Sequence, residues 1–218
     1  MYIGLFDMFK IGIGPSSSHT VGPMRAARRF LMELPDATFD AIERLEVQLY
    51  GSLAHTGHGH GTDVAILLGL CGELPDQVDI DGVSAQVQAI RDTQRLPLLG
   101  RKTIPFDVSR ALVFNRSELL PVHSNGMRFQ ALDAHGAVLA ERDLYSIGGG
   151  FVVDTDEAFV GSPRGVEEPV PHAFETMQSL LDQAREAGQP LHALLLANEA
   201  ALRPLAEVRG FIGQVTSS

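Results

Sequence analysis

The chain has 218 residues, of which 44% are hydrophobic and 20% charged, with a net charge of −10. This composition is enough for one large core or two small ones, and the acidic balance with scattered basic residues excludes a nucleic-acid-binding protein. No apolar run reaches the roughly 18 residues of a membrane span, and the one cysteine, Cys71, excludes both an internal disulfide and a self-contained iron–sulfur cluster and fits a reducing cytoplasm.

The first half of the chain is predicted to be a mixture of loops, helices and one strand. Glycine, proline and serine mark the first loop, in which Ser17 or Ser18 is a plausible N-cap, and Pro35 ends the helix that follows. The expected elements are a loop over 11–20, a helix over 21–34, a strand of alternating hydrophobicity over 43–50, a glycine- and histidine-rich loop over 51–62 and a buried helix over 63–70.

The second half is predicted to be β structure followed by helices. Hydrophobic alternation and turn residues define the strands, and helical periodicity returns near the end. The expected elements are a turn at Asp81-Gly82, a helix over 84–94, strands over 110–115, 127–133 and 138–147 with a hairpin turn at 134–136, an extended linker over 166–171 and helices over 173–187, 191–201 and 205–215.

The segment Gly14–Thr20 places several hydroxyls and backbone N–H groups directly before a helix. A helix N-terminus carries partial positive charge and unpaired donors, which suit a carboxylate or phosphate. His19 in the same turn could move a proton at neutral pH. The alternative is a helix cap with a surface histidine.

The segment Thr56–Asp63 contains His58, His60 and Asp63 among three glycines. Glycine allows a ligand to approach the backbone closely, and the two histidines and the aspartate could orient one another. The same side chains could bind zinc. A flexible polar loop is the third interpretation.

Two further segments combine glycine with polar residues. His123 and Asn125 flank the start of a strand, although Asn-Gly is also an ordinary turn signal. Gly148–Gly150 ends a strand. The three glycines either allow a ligand or another chain to approach the backbone closely, or they form a bulge. Dinucleotide-binding, Walker A, G-x-S-x-G and H-E-x-x-H patterns are absent from the sequence.

These segments together resemble one family. The sequence is similar to the N-terminal, β-type domain of bacterial iron–sulfur L-serine dehydratases, also called L-serine ammonia-lyases. The matching motifs are Phe6–Pro23, Gly51-Ser52-Leu53-Ala54, Gly59–Asp63, His123–Met127 and Ser146–Gly150.

The resemblance implies a reaction and roles for particular residues. The family converts L-serine to pyruvate and ammonia, with a [4Fe–4S] cluster whose iron acts as a Lewis acid on the substrate hydroxyl. His60, as the first choice, and His19 are then the acid/base or substrate-orienting groups. The expected substrate-binding residues are Ser16, Ser17, Ser18, Thr62 and Asp63, with Asn125, Gly148, Gly149 and Gly150 as weaker candidates.

The resemblance also implies an α+β fold with a mixed sheet, as in the allosteric substrate-binding domain of some phosphoglycerate dehydrogenases. Residues 1–165 would form the β-type domain and 166–218 a helical connector toward an absent, cluster-bearing α domain.

This chain would bind neither the cluster nor another metal, would be inactive alone, and would be a truncated form or a separate subunit. The enzyme is expected to be a cytoplasmic homodimer of amino-acid degradation and gluconeogenesis. A serine- or anion-binding regulatory domain and an assembly domain remain alternatives.

Overall fold

The computed structural model describes residues 4–9, 12–160 and 169–217. The chain divides into two compact units, Ile11–Ser162 and a second unit that combines Met1–Lys10 with Pro163–Ser218. The helices are α1 (Leu5–Met8), α2 (Val21–Met32), α3 (Asp36–Asp40), α4 (Gly51–His60), α5 (Thr62–Cys71), α6 (Ile80–Thr93), α7 (Val108–Ala111), α8 (Thr155–Val160), α9 (Met177–Ala187), α10 (Leu191–Leu202) and α11 (Leu205–Ser217).

The larger unit is built on a five-stranded mixed sheet with the order β4-β1-β5-β6-β7. β1 and β4 run parallel, and the other neighbouring pairs are antiparallel, which confirms the expected α+β fold. The strands are β1 (Arg44–Tyr50), β2 (Arg95–Leu98), β3 (Lys102–Pro105), β4 (Leu112–Asn115), β5 (Gly126–Leu132), β6 (Val138–Ser146) and β7 (Val152–Asp154), with β2 and β3 forming a separate hairpin.

The core lies between one face of this sheet and the helices α2 and α5. Leu45, Val47 and Leu49 alternate along β1 and are fully buried, as the sequence predicts for a strand with one buried face. The rings of Phe30 on α2 and Phe129 on β5 stack with centroids 5.4 Å apart. Burial of these side chains fixes which strand residues face the helices.

One end of the sheet collects all the glycine-flanked polar segments. β1 and β4 both finish there, with Tyr50 paired to Asn115, because the two strands are parallel. β5 begins at the same end, β6 finishes there, and Ser146 pairs with Val152 at the start of β7. The strand directions therefore bring segments that are more than a hundred residues apart in sequence to one edge.

Three of the expected local structures are wrong. The predicted loop over 51–62 is the helix α4 and the first residue of α5, separated at Gly61, which has the left-handed φ of 72°. The predicted turn at Asp81-Gly82 lies inside the first turn of α6. The cap of α2 is Thr20, without a side-chain cap bond, and not Ser17 or Ser18.

The smaller unit consists of α1 and the helices α9, α10 and α11. The Leu5 amide donates to Glu199 Oε1 at 2.6 Å, and the rings of Phe6 and Phe211 stack with centroids 4.1 Å apart. The three C-terminal helices agree with the helical periodicity of the sequence, whereas residues 166–168 of the expected linker over 166–171 lie outside the described residues. No helix in the described part of the chain combines the length and apolarity that a membrane crossing requires.

Candidate functional site

The rings of His19 and His60 lie side by side at the sheet end described above. Their centroids are 4.7 Å apart and their planes are inclined by 39°. His19 directly precedes Thr20, the cap of α2, and His60 is the last residue of α4. Both side chains are half-buried. The two rings therefore lie close enough to act in one site, as the interpretation of the sequence requires.

The hydrogen bond of His60 fixes which of its ring nitrogens is free. Nδ1 lies 2.9 Å from the carbonyl oxygen of Thr56, one helical turn earlier. A carbonyl only accepts, so Nδ1 carries the proton and donates. In the neutral ring Nε2 then has an unprotonated lone pair. His60 Nε2 is thus arranged to accept a proton.

His19 is held at both ring nitrogens. Ser18 Oγ lies 2.9 Å from Nδ1, and Ser52 Oγ lies 3.1 Å from Nε2. Thr62, which is fully buried, donates its hydroxyl to the His19 carbonyl at 2.7 Å. The backbone and the ring of this histidine are therefore both anchored.

The surroundings of His19 favour its neutral form. Burial lowers its pKa, and the nearby His60 lowers it further, against a smaller opposing effect of a hydrogen bond to the Ser52 backbone. Two imidazolium rings this close would repel each other. The pair of rings is thus suited to hold one positive charge at a time.

The serine run supports His19 from one side. Ser16 Oγ and Ser18 Oγ are 3.2 Å apart, so the hydroxyls of Ser16, Ser18 and the His19 ring form a chain. The Ser16 carbonyl accepts from Thr20 Oγ1 at 2.6 Å, and the Ser17 carbonyl accepts from the Gly22 amide. The Ser17 residue itself is exposed. These bonds shape the turn before α2.

Asp63 and His58 face a different place. The Asp63 carboxylate accepts from Arg91 at 2.8 Å, and the His58 ring stacks on Phe114 with centroids 3.9 Å apart. Both line a cavity of about 630 Å³ whose lining includes neither His19 nor His60. The structure therefore does not bring the Asp63 carboxylate to the histidine pair.

The remaining expected residues lie at the same sheet end. Asn125 is buried, and its Nδ2 donates to the Ser146 carbonyl at 3.1 Å. Gly148, Gly149 and Gly150 all have positive φ and form the turn between β6 and β7. The Gly150 carbonyl accepts from Arg25 of α2 at 3.3 Å. The hydrogen bonds that the structure shows for Asn125 and Gly150 join segments of the protein to one another.

The residues of this chain do not fit an iron–sulfur cluster. Such clusters need several thiolates, and burial raises the pKa of the Cys71 thiol to about 12, so this sulfur is protonated at neutral pH. Among the described residues no three His, Cys, Asp or Glu side chains are placed to hold a metal ion. In particular, the zinc arrangement considered for His58, His60 and Asp63 does not form.

Two residues of the site were missed by the sequence interpretation. The sequence indicates no role for Ser52, although it lies in a family motif, and it places Thr56 only in a predicted loop. The spacing of four residues between Thr56 and His60 would have indicated the carbonyl contact, but only if α4 had been predicted as a helix.

Comparison with known proteins identifies the family. A family model described as serine dehydratase beta chain matches residues 4–157. An L-serine dehydratase of Streptomyces coelicolor is 47% identical over 212 residues, which are 96% of this chain and 46% of the relative.

Two further relatives agree. An L-serine dehydratase of Haemophilus influenzae is 43% identical over 92% of this chain and 44% of its own length, and L-serine dehydratase 1 of Escherichia coli K12 is 41% identical over 98% and 46%. The chain spans about half the length of the curated relatives it matches. The chain belongs to the serine dehydratase beta chain family.

Proposed function

We propose that this chain supplies one wall of the active site of an L-serine dehydratase, in which His60 is the base and His19 its neutral partner. The observation that carries the proposal is the pairing of the two rings 4.7 Å apart, with the free lone pair on His60 Nε2. The relatives are named for this activity and are about twice as long, so the other wall belongs to the remaining half of the enzyme.

In the proposed step His60 Nε2 takes the proton from the Cα of L-serine, and the electron pair of that bond forms the Cα–Cβ double bond as the Cβ–O bond breaks and hydroxide leaves. The proton held by His60 then passes to this hydroxide, which is released as water. The resulting enamine tautomerises to an imine, whose hydrolysis yields pyruvate and ammonia. His19 remains neutral while His60 carries the transferred proton, in keeping with its lowered pKa.

The activation of the leaving hydroxyl belongs to the other half of the enzyme in this proposal. A [4Fe–4S] cluster in that α domain would supply the Lewis acid, because the described residues of this chain offer no set of ligands for it. We propose that residues 1–165 act as the β-type domain and that the helices within 166–218 connect it to the α domain. The enzyme is proposed to be a cytoplasmic homodimer.

The proposal is tested in the active enzyme that contains this chain. His60→Gln is expected to lower kcat by about 10²–10⁴-fold with little change in KM, since general-base catalysis contributes on that order. His60→Gln should equally suppress the loss of deuterium from α-deuterated L-serine. The control is His55→Gln, which changes an exposed ring on the same helix.

Other results would change the interpretation. A loss confined to KM would show a substrate-binding or regulatory domain in place of a catalytic wall. Unchanged kcat and KM in His60→Gln would contradict both functions and leave assembly as the role of this domain.

A further inference from the structure

Ser52 is fixed by its backbone at the point where β1 becomes α4. Gly51 has a φ of 54°, and a Cβ at this position would collide with the carbonyl of Ser124. The Ser52 amide donates to that same carbonyl at 2.9 Å. The loop before β5 therefore sets the position of Ser52, and the residue before it has to be glycine.

The hydroxyl of Ser52 has one hydrogen-bond partner in the described part of the chain. That partner is Nε2 of His19, at 3.1 Å. The contact allows two directions: with the proton on Nδ1 the hydroxyl donates to the lone pair of Nε2, and with the proton on Nε2 the ring donates to the hydroxyl. Accepting at Nε2 leaves Nδ1 as the protonated nitrogen of the neutral ring.

The opposite side of the ring is compatible with this direction. Nδ1–H of His19 can donate to Ser18 Oγ at 2.9 Å, and the Ser18 hydroxyl can donate to Ser16 Oγ at 3.2 Å. The hydrogen bonds then run in one sense from Ser52 through His19 to the serine run. Each donor from Ser52 to Ser18 then has an acceptor.

We propose that Ser52 is a positioning residue for His19: its hydroxyl donates to Nε2, selects the Nδ1–H tautomer and holds the ring against His60. Its catalytic consequence rests on the function proposed above. A His19 ring without this bond can turn away or take up a proton, and a second positive charge 4.7 Å from His60 would make His60 a weaker base.

The tautomer can be measured without any activity. The 218-residue chain is labelled with ¹⁵N-histidine, and the ring nitrogen shifts of His19 are recorded by NMR at a pH where the ring is neutral. Wild type is expected to show protonated Nδ1 and bare Nε2. The opposite tautomer in the wild-type chain would overturn the proposal, whatever happens to any variant.

Variants test the role of the hydroxyl. Ser52→Ala should convert His19 to a mixture of tautomers, and Ser52→Thr, which keeps the hydroxyl, should restore the wild-type shifts. Thr93→Val is the matched control, because it removes a hydroxyl that bonds the carbonyl four residues earlier on α6, away from His19. A His19 signal unchanged in a folded Ser52→Ala chain would contradict the proposal, and so would a shift of equal size in Thr93→Val.

Kinetics of the active enzyme separate this proposal from the proposed function. Ser52→Ala should reduce kcat about 10–100-fold, the range typical of groups that orient a functional side chain, with KM within a few-fold and recovery in Ser52→Thr. If Ser52→Ala changes the His19 tautomer but His60→Gln does not lower kcat, Ser52 still positions His19 and the catalytic function proposed for His60 is rejected. Normal kcat in Ser52→Ala beside a large loss in His60→Gln would reject the positioning role alone.

Discussion

The carbonyl of Thr56 and the ring of His60 are joined by a 2.9 Å hydrogen bond within one turn of α4, so a helix and not a loop determines the free nitrogen of His60. His19, with its ring centroid 4.7 Å away, is held by Ser18 of the serine run and by Ser52 at the start of the same helix. The two imidazoles thus have different hydrogen-bond partners although their rings lie side by side. This difference is the basis for assigning them different roles.

The first prediction concerns the pH dependence of stability. The folded-state pKa of His19 lies below 6.5, mainly because of burial, so the unfolded chain takes up the proton first as the pH falls. The free energy of unfolding should therefore decrease as the pH falls through 6.5. Urea unfolding of wild type and His19→Gln at several pH values checks this, since the variant should lose part of the decrease. His55→Gln, on the exposed side of α4, should retain it.

A second prediction tests the packing of α5 on α2. A Cβ added at Gly69 would collide with the carbonyl of Met24, which is backbone and cannot rotate away. Gly69→Ala should lower the free energy of unfolding by about 1–3 kcal/mol, the usual cost of overpacking, or more. Gly59→Ala is the matched control, because nothing lies within 4 Å of the added atom and alanine favours a helix. Equal stability of the two variants in thermal unfolding would contradict the close approach of the helices.

The sequence was sufficient for elements that have a strong local pattern. The alternation of Leu45, Val47 and Leu49 correctly predicts β1, the apolar spacing over 21–34 correctly predicts the helix α2, and 63–70 is correctly predicted as a buried helix. The hairpin β2–β3 was not predicted, because its strands have only four residues each and give little periodicity.

The helix α4 was missed because its local signal points to a loop. Glycines at 51, 57 and 59 lower helix propensity, and tertiary contacts overcome this effect. Gly57 packs closely against Phe114 and Thr62, where a larger residue would not fit without movement. The roles of Ser52 and Thr56 depend on this helix and on the parallel pairing of β1 with β4, neither of which local sequence shows.

A third prediction concerns the ion pair between α2 and α8. Arg29 donates from both Nη atoms to the two oxygens of Glu157, each at 2.8 Å, and this bonding lowers the pKa of the Glu157 carboxyl. Glu157→Gln should lower the free energy of unfolding by about 1 kcal/mol at neutral pH, a modest value because the pair is partly exposed. Asp156→Asn, at an exposed position, is the control.

The same ion pair has a defined pH dependence. Its contribution is complete above the ordinary Glu pKa of 4.5 and is lost as the pH falls through the lower folded-state value. The difference in stability between wild type and Glu157→Gln should accordingly shrink in acid. A difference that is constant from neutral to strongly acidic pH would show that the pair does not contribute as an ion pair.

A fourth prediction uses the thiol of Cys71. Since burial raises its pKa to about 12, the reactive thiolate is scarce in the folded chain. Alkylation by iodoacetamide at neutral pH should be roughly 10²–10³-fold slower in the native chain than in urea. Cys71→Ser provides the zero-rate control, and rapid native alkylation would show that the side chain is accessible and ionised.

The last prediction is that this chain alone neither binds an iron–sulfur cluster nor converts L-serine. One protonated thiol cannot replace the several thiolates that hold an iron–sulfur cluster, and the leaving hydroxyl of serine needs an acid that this wall does not provide. Anaerobic incubation of the 218-residue chain with iron and sulfide should give no bound brown chromophore, and L-serine should give no pyruvate. Either product, formed by the wild-type chain and lost in Cys71→Ser or His60→Gln respectively, would mean that the chain contains chemistry that the proposal assigns to the other half of the enzyme.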